Sequence, residues 1–188
     1  MTGRKRGIKH RGGLATYALA RKDIILWMKE DQKPDAYFTT MFDLYALPAD
    51  FPGYKEARAI GDPWKRVAAL ENAVLEDIGD YRLIPHIQLY EFETLIFADP
   101  KKLDWNFLEH DKAIRSLMEI ASGIASPELI DDGDETAPSK RIIHFIPEYA
   151  DMKVSVGPLV AEKIGLASLR EKCGHFSDWL TKLERLAL

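Results

Sequence analysis

Apolar positions along this chain repeat with two different periods. Over residues 14–31, LATYALARKDIILWMKED, the apolar residues Leu14, Tyr17, Ala18, Ile25, Trp27 and Met28 fall closer to a 3.6-residue repeat than to alternation. That spacing predicts a helix. AYFTTMFD, 36–43, is short and rich in aromatic and β-branched residues, which predicts a strand. The prolines and glycine of LYALPADFPGY then read as a loop, with a short helix over 54–60. GDPWKRVAALENAVLEDIGD carries the clearest helical signal. Asp62 is placed to cap it, Pro63 opens it and Gly79 closes it. Val67, Leu70, Val74, Leu75 and Ile78 form its apolar stripe. YRLIPHIQLYEF, 81–92, predicts a second strand, weakened by Pro85, which cannot donate to a ladder.

The later half reads as helices separated by Gly or Pro. DWNFLEHDKAIRSLMEIASG is expected to start from an Asp104 cap, and SPELIDDGDETAPSK is a polar loop. SKRIIHFIPEY, PLVAEKIG, LASLREKC and FSDWLTKLERLAL are expected as short helices. The whole pattern predicts a single α/β domain over 1–188: a basic arm at 1–13, an α/β core at 14–100 and a helical portion at 101–188. The sheet is expected to be small and parallel, with helices flanking it. Strand–helix–strand order implies a crossover between parallel strands, and such sheets bind ligands at the carboxyl ends of their strands. Asp43 stands at one such end, and Glu91 and Glu93 at the other.

Composition narrows the class. The 188 residues are 46% hydrophobic and 30% charged, ordinary for a globular chain. No apolar run approaches the roughly 20 residues of a membrane span, so no membrane association is expected. One cysteine, Cys173, rules out an internal disulfide and suits a reducing cytoplasm. The net charge is −4, yet Arg4, Lys5, Arg6, Lys9 and Arg11 precede the first acid, Asp23. Such an arm is expected to contact nucleic-acid phosphates, with a solvated tail as the alternative.

The acids at the strand ends suggest metal chemistry. Mg²⁺ and Mn²⁺ take oxygen ligands, and Asp43, Asp50, Glu91 and Glu93 could supply them. In a strand Glu91 and Glu93 share a face; a helix beginning at Glu91 would spread them. Asp43 could equally cap a turn, Asp50 could brace PADFPG, and Glu93 could open a helix. Lys140 and Lys153 could stabilise charge developing on a phosphate. His86 and His144 lie among apolar neighbours and read as packing residues. Cys173-Gly174-His175 looks ligand-like, but without a second cysteine a zinc site is not expected.

Several phrases together carry a resemblance: RGGLATYALARKDI, FDLYALPADFPGY, IQLYEFETLIFADP, DDGDETAPSKRI and VGPLVAEKIGLASLREKCGHFSDWLTKLE. They resemble the bacterial family known as domain of unknown function 4276, over nearly the whole chain. The resemblance implies a TOPRIM-like fold, the compact α/β domain of topoisomerases, primases and overcoming-lysogenisation-defect nucleases. It also implies metal-dependent cleavage of nucleic acid through a glutamate after a first strand and an Asp-x-Asp motif after a later one. Asp43 matches the first aspartate of that motif. Tyr45 stands at the second, Asp50 is the next acid, and Glu91 and Glu93 fall at the family's acidic strand end. The first strand and its EGxTE-like turn are expected to be lacking here.

Three functions are therefore expected. The first is a Mg²⁺- or Mn²⁺-dependent nuclease or related phosphoryl-transfer protein using Asp43, Glu91, Glu93, Lys140 and Lys153, in bacterial antiphage defence. The second is a non-catalytic partner of an ATPase, with Trp179, Leu180, Leu183, Leu186 and Leu188 as a docking face, though the same apolar stripe reads first as core. The third is a nucleic-acid binder without chemistry.

Overall fold

Thr16 starts the first helix, its hydroxyl accepting from the Leu19 N–H at 3.3 Å. Helix α1 (Tyr17–Glu30) buries Tyr17, Ile24 and Met28. Its stripe is thus narrower than the sequence suggests, and Trp27, expected inside, is 62% exposed. The structure, a computed structural model, describes residues 14–130, 133 and 135–187. The expected nucleic-acid contacts Arg4, Lys5, Arg6, Lys9 and Arg11 lie outside the described residues.

The two predicted strands are each broken in two. β1 (Phe38–Thr39) pairs in parallel with β3 (Leu83–Ile84), and β2 (Phe42–Asp43) pairs in parallel with β4 (Ile87–Gln88). Partners stay 45 residues apart in both ladders, so the register carries across the break. Pro85 explains the interruption, since it has no N–H to give. Side chains bridge the gap: the Thr39 hydroxyl donates to the Ile84 carbonyl at 2.6 Å, and the His86 N–H donates to Thr40 Oγ1 at 3.3 Å.

Between the strands run α2 (Tyr54–Ala57) and α3 (Pro63–Ile78). The expected caps of α3 hold: the Asp62 carboxylate accepts from the Lys65 N–H, and Gly79 is left-handed. Gly53, before α2, is also left-handed at φ 69°, and a Cβ there would stand 3.1 Å from that of Ala73. Only glycine meets both conditions at no cost.

The C-terminal half is helical, as expected. It holds α4 (Asp111–Ser122), α5 (Pro138–Phe145), α6 (Tyr149–Ile164), α7 (Leu166–Lys172) and α8 (Gly174–Glu184). Asp104 does not cap a helix; it lies inside a 3₁₀ turn, and α4 begins after His110. Pro158, expected to open a helix, sits inside α6.

Two apolar clusters form. One gathers Tyr17, Met28, Val67, Leu70, Val74 and Ile87 around the ribbon. The other gathers Leu95, Phe97, Leu117, Ile142, Tyr149 and Phe176 among the later helices. Tyr90 packs against both. Among the described residues no helix is long and apolar enough to cross a membrane.

Candidate functional site

Asp43 ends β2, opposite Gln88 on β4. The chain then turns into a 3₁₀ helix whose Tyr45 N–H donates to the Tyr90 carbonyl at 2.9 Å. This bond holds the ends of both strands together. After β4, Tyr90 takes a left-handed backbone with φ 62°. A non-glycine residue adopts that conformation at a cost, and such costs concentrate at functional sites. The bend turns Glu91 and Glu93 back over the end of the ribbon. Glu91 stands just before a 3₁₀ helix, Phe92–Ala98, and Glu93 lies in its first turn.

The outcome is neither a strand nor a regular helix at 91–93, and both glutamates reach the same cleft. That cleft has a volume of about 670 Å³ and is lined by Asp43, Tyr45, Glu91, Glu93, Lys140 and Lys153 among others. Both glutamates are buried. Glu91 Oε2 accepts from the Ser139 N–H at 3.2 Å, in the first turn of α5, where free backbone N–H groups and the helix dipole favour an anion. Glu93 Oε1 accepts from the Tyr149 hydroxyl at 3.4 Å and lies 3.7 Å from Lys153 Nζ. Gly157 leaves room for the Tyr149 hydroxyl, about two turns earlier on the same helix, and for the Phe92 ring: a Cβ there would meet them at 3.1 and 3.5 Å.

The electrostatics follow from crowding acids in a half-dry cleft. Burial, then the charge of Glu91, pushes the Asp43 carboxyl up to about 6, against the Phe92 N–H and Lys153, which hold it down. Burial and Glu91 also raise Glu93, with Lys153 opposing. Burial, reinforced by Glu93, raises the Tyr149 phenol, so it stays a donor. A carboxyl kept this high by burial and by a neighbouring acid is one that a cation would relieve.

Of the acids singled out from the sequence, Asp43, Glu91 and Glu93 therefore meet, with Lys140 and Lys153 beside them. Asp50 does not line the cleft. Its carboxylate accepts from the N–H groups of Tyr17 at 3.0 Å and Ala18 at 3.3 Å, at the start of α1. The donor set of three carboxylates suits a hard divalent cation. The three do not form one tight shell, since the only trio of metal-type donors within 4.8 Å among the described residues is Glu71, His86 and His175. Mg²⁺ tolerates that spread, because it keeps several waters and takes one or two carboxylates directly.

Sequence reading did not single out Tyr149 or Glu71, set the ligand-like Cys173-Gly174-His175 aside for want of a second cysteine, and took His86 for packing. One signal was present for Glu71: it is in register with the buried stripe Val67, Leu70 and Val74, where a carboxylate requires a partner. Of the C-terminal apolar stripe, Trp179 and Leu180 pack against the second cluster, as core residues would. No curated protein and no solved structure matches the chain. The model of the family Domain of unknown function (DUF4276) matches residues 3–184, nearly the whole sequence, and the chain belongs to that family.

Proposed function

We propose that the acidic cleft is a Mg²⁺- or Mn²⁺-dependent phosphoryl-transfer site that cleaves nucleic acid. One observation carries this reading: Asp43, Glu91, Glu93, Lys140 and Lys153, far apart in sequence, line one cleft at the carboxyl end of a parallel ribbon. Asp43 with Glu91 or Glu93 would hold the ion. A carboxylate-bound divalent ion supplies a nucleophilic water and offsets phosphate charge. The chain's own groups do the rest. Lys153 offsets Glu93 in the resting cleft and is 45% exposed, free to swing toward a phosphate oxygen. Lys140 stands exposed at the mouth. Ser139 and Tyr149 fix the two glutamates by hydrogen bonds. The arm residues Arg4, Lys5, Arg6, Lys9 and Arg11 would grip the backbone, with a salt dependence of about −0.9 per phosphate contact on duplex DNA. A TOPRIM-like relationship, a cytoplasmic location and a role in antiphage defence belong to the same proposal.

The test incubates single-stranded DNA, duplex DNA and RNA with the protein in Mg²⁺, Mn²⁺ or EDTA. Cleavage by the wild type that stops in EDTA and falls about 100-fold or more in Asp43→Asn is the expected result. Equal cleavage by the two proteins, or none by the wild type on all three substrates, overturns the reading.

A second reading has its own observation. Tyr45 replaces the second aspartate of the Asp-x-Asp pattern, and Glu91 and Glu93 are already engaged by protein groups. That arrangement favours a non-catalytic subunit of an ATPase. Metal-independent co-purification with such an ATPase, without cleavage, would support it.

A further inference from the structure

Away from the acidic cleft, Glu71 on α3, His86 between β3 and β4, and His175 on α8 converge. Glu71 Oε1 lies 2.8 Å from His175 Nε2 and 3.8 Å from His86 Nδ1. The three donor atoms all fall within 4.8 Å of one another. Each residue is tied down by a second partner. The Ile87 N–H donates to Glu71 Oε1 at 2.8 Å. The Glu128 carboxylate accepts from the backbone N–H of His175 at 3.0 Å, fixing the start of α8. His86 Nε2 lies 3.4 Å from Gln88 Oε1, an acceptor that puts the ring proton on Nε2.

That last contact leaves His86 Nδ1 as a bare lone pair. His86 is 1% exposed, and its Nδ1 has no hydrogen-bond partner. Its nearest charged neighbour is the Glu71 carboxylate, so two acceptors face each other across 3.8 Å. A buried polar atom in that position costs free energy unless a proton or a cation lies between. His110 Nδ1 is the other such atom among the described residues, but no trio of donors surrounds it.

We propose that Glu71, His86 and His175 are a second metal site, separate from the acidic cleft, for a borderline-soft divalent ion, Zn²⁺ first. Two imidazoles and one carboxylate form a donor set that suits zinc rather than magnesium. Bonds of about 2.0–2.1 Å in tetrahedral geometry set ligand atoms about 3.3 Å apart. The 2.8 and 3.8 Å separations bracket that value. The His86–His175 edge has to close, which tilts two rings that now stack at 21° and 4.9 Å. Gln88, holding the far nitrogen of His86, is the outer partner that metal-bound histidines require. A pocket of about 310 Å³, lined by all three and by Asp178, Trp179 and Lys182, leaves room for a water as fourth ligand. It shares no lining residue with the acidic cleft. The site bridges the two halves of the chain, so an ion here would fasten them.

The experiment strips the full chain with EDTA and titrates it with ZnCl₂ by calorimetry, then with CoCl₂ by visible absorption. Expected are one Zn²⁺ per chain and the intense bands of tetrahedral Co²⁺. His175→Ala and His86→Ala should each weaken binding about 100-fold or more, and Asp43→Asn should leave it unchanged. The His175 side chain is 13% exposed against 1% for His86, so its variant remains informative if the His86 variant fails to fold. Absence of stoichiometric Zn²⁺ uptake overturns the proposal. So does undiminished uptake in folded His175→Ala, or uptake lost in Asp43→Asn but kept in His175→Ala. The nuclease assay is read in Mg²⁺, so either site can fail without the other.

Discussion

Glu128 shows how one side chain can decide local order. It is fully buried, yet its carboxylate accepts from Trp64 Nε1, the His175 N–H and the Phe176 N–H, each at 3.0 Å. Without it, the first turn of α8 would keep donors with neither water nor protein to receive them. Buried donors stranded in this way cost about 1–3 kcal/mol each. Glu128→Ala should therefore lose about 3 kcal/mol in urea unfolding, and Glu128→Gln, which keeps an acceptor, clearly less. A loss under about 1 kcal/mol for the alanine variant would refute the assigned role. Nothing in the local sequence SPELI flags this residue, because its three donors lie 47, 48 and 64 positions away. The acids of the cleft were easier to find. Asp43, Glu91 and Glu93 interrupt strand patterns at the ends where ligands bind, a signal contained within a few residues. The trio Glu71, His86 and His175 left two weak clues, the acid in a buried stripe and the ligand-like Cys173-Gly174-His175. The contact between Glu71 and His175 spans 104 positions.

Elements with strong local signals were legible, and those made by long-range contacts were not. α3 carries its cap, opening proline, stripe and closing glycine within one segment, and it forms as expected. The strands were visible, and Pro85 marked a weak point in the second; the matching break in the first depends on Pro85 falling opposite Thr40 across the ribbon. α6 runs through Pro158 although a proline inside a helix costs about 3 kcal/mol. Val156, Val160 and Ile164, buried along that helix, offset the cost, and sequence reading had no access to their partners. α1 supplies a test at this scale. Asp50, exposed in the loop before α2, accepts from the first two N–H groups of the helix. The Tyr17 N–H, first, and that of Ala18 hold its carboxyl below the usual range. A lowered value means that the folded chain favours the charged form. The stabilisation is therefore complete above the unfolded value of about 3.9, and it is lost as pH falls through the folded value. Asp50→Ala should melt below the wild type at pH 7, and the gap should shrink below about pH 4. A gap independent of pH would assign Asp50 no charge-based role.

At the scale of the molecule, two apolar clusters meet along polar contacts. Trp64 donates to Glu128, the His175 ring pairs with Glu71, and Trp179 Nε1 donates to the Thr39 hydroxyl at 2.8 Å. On the other side, Asp43 and the two glutamates come from the ribbon end while both lysines come from α5 and α6. Each candidate site thus exists only when the two halves are docked. A catalytic or metal-binding chain built this way has to fold as one unit, because separate melting would dismantle its sites first. Tyr90, packed against both clusters, and the buried polar contacts between them oppose separate melting. Cys173 allows a direct check. It is fully buried in the second cluster, and burial, with the nearby Glu128, pushes its thiol up to about 12. It reacts only when that cluster opens, since the thiolate is the reactive form. Far-UV circular dichroism, which sees both halves, and Cys173 labelling should give coincident urea transitions. If labelling is complete while substantial helical signal remains, the halves unfold separately, and the sites at their junction would be assembled by a weak interface rather than by a cooperative fold.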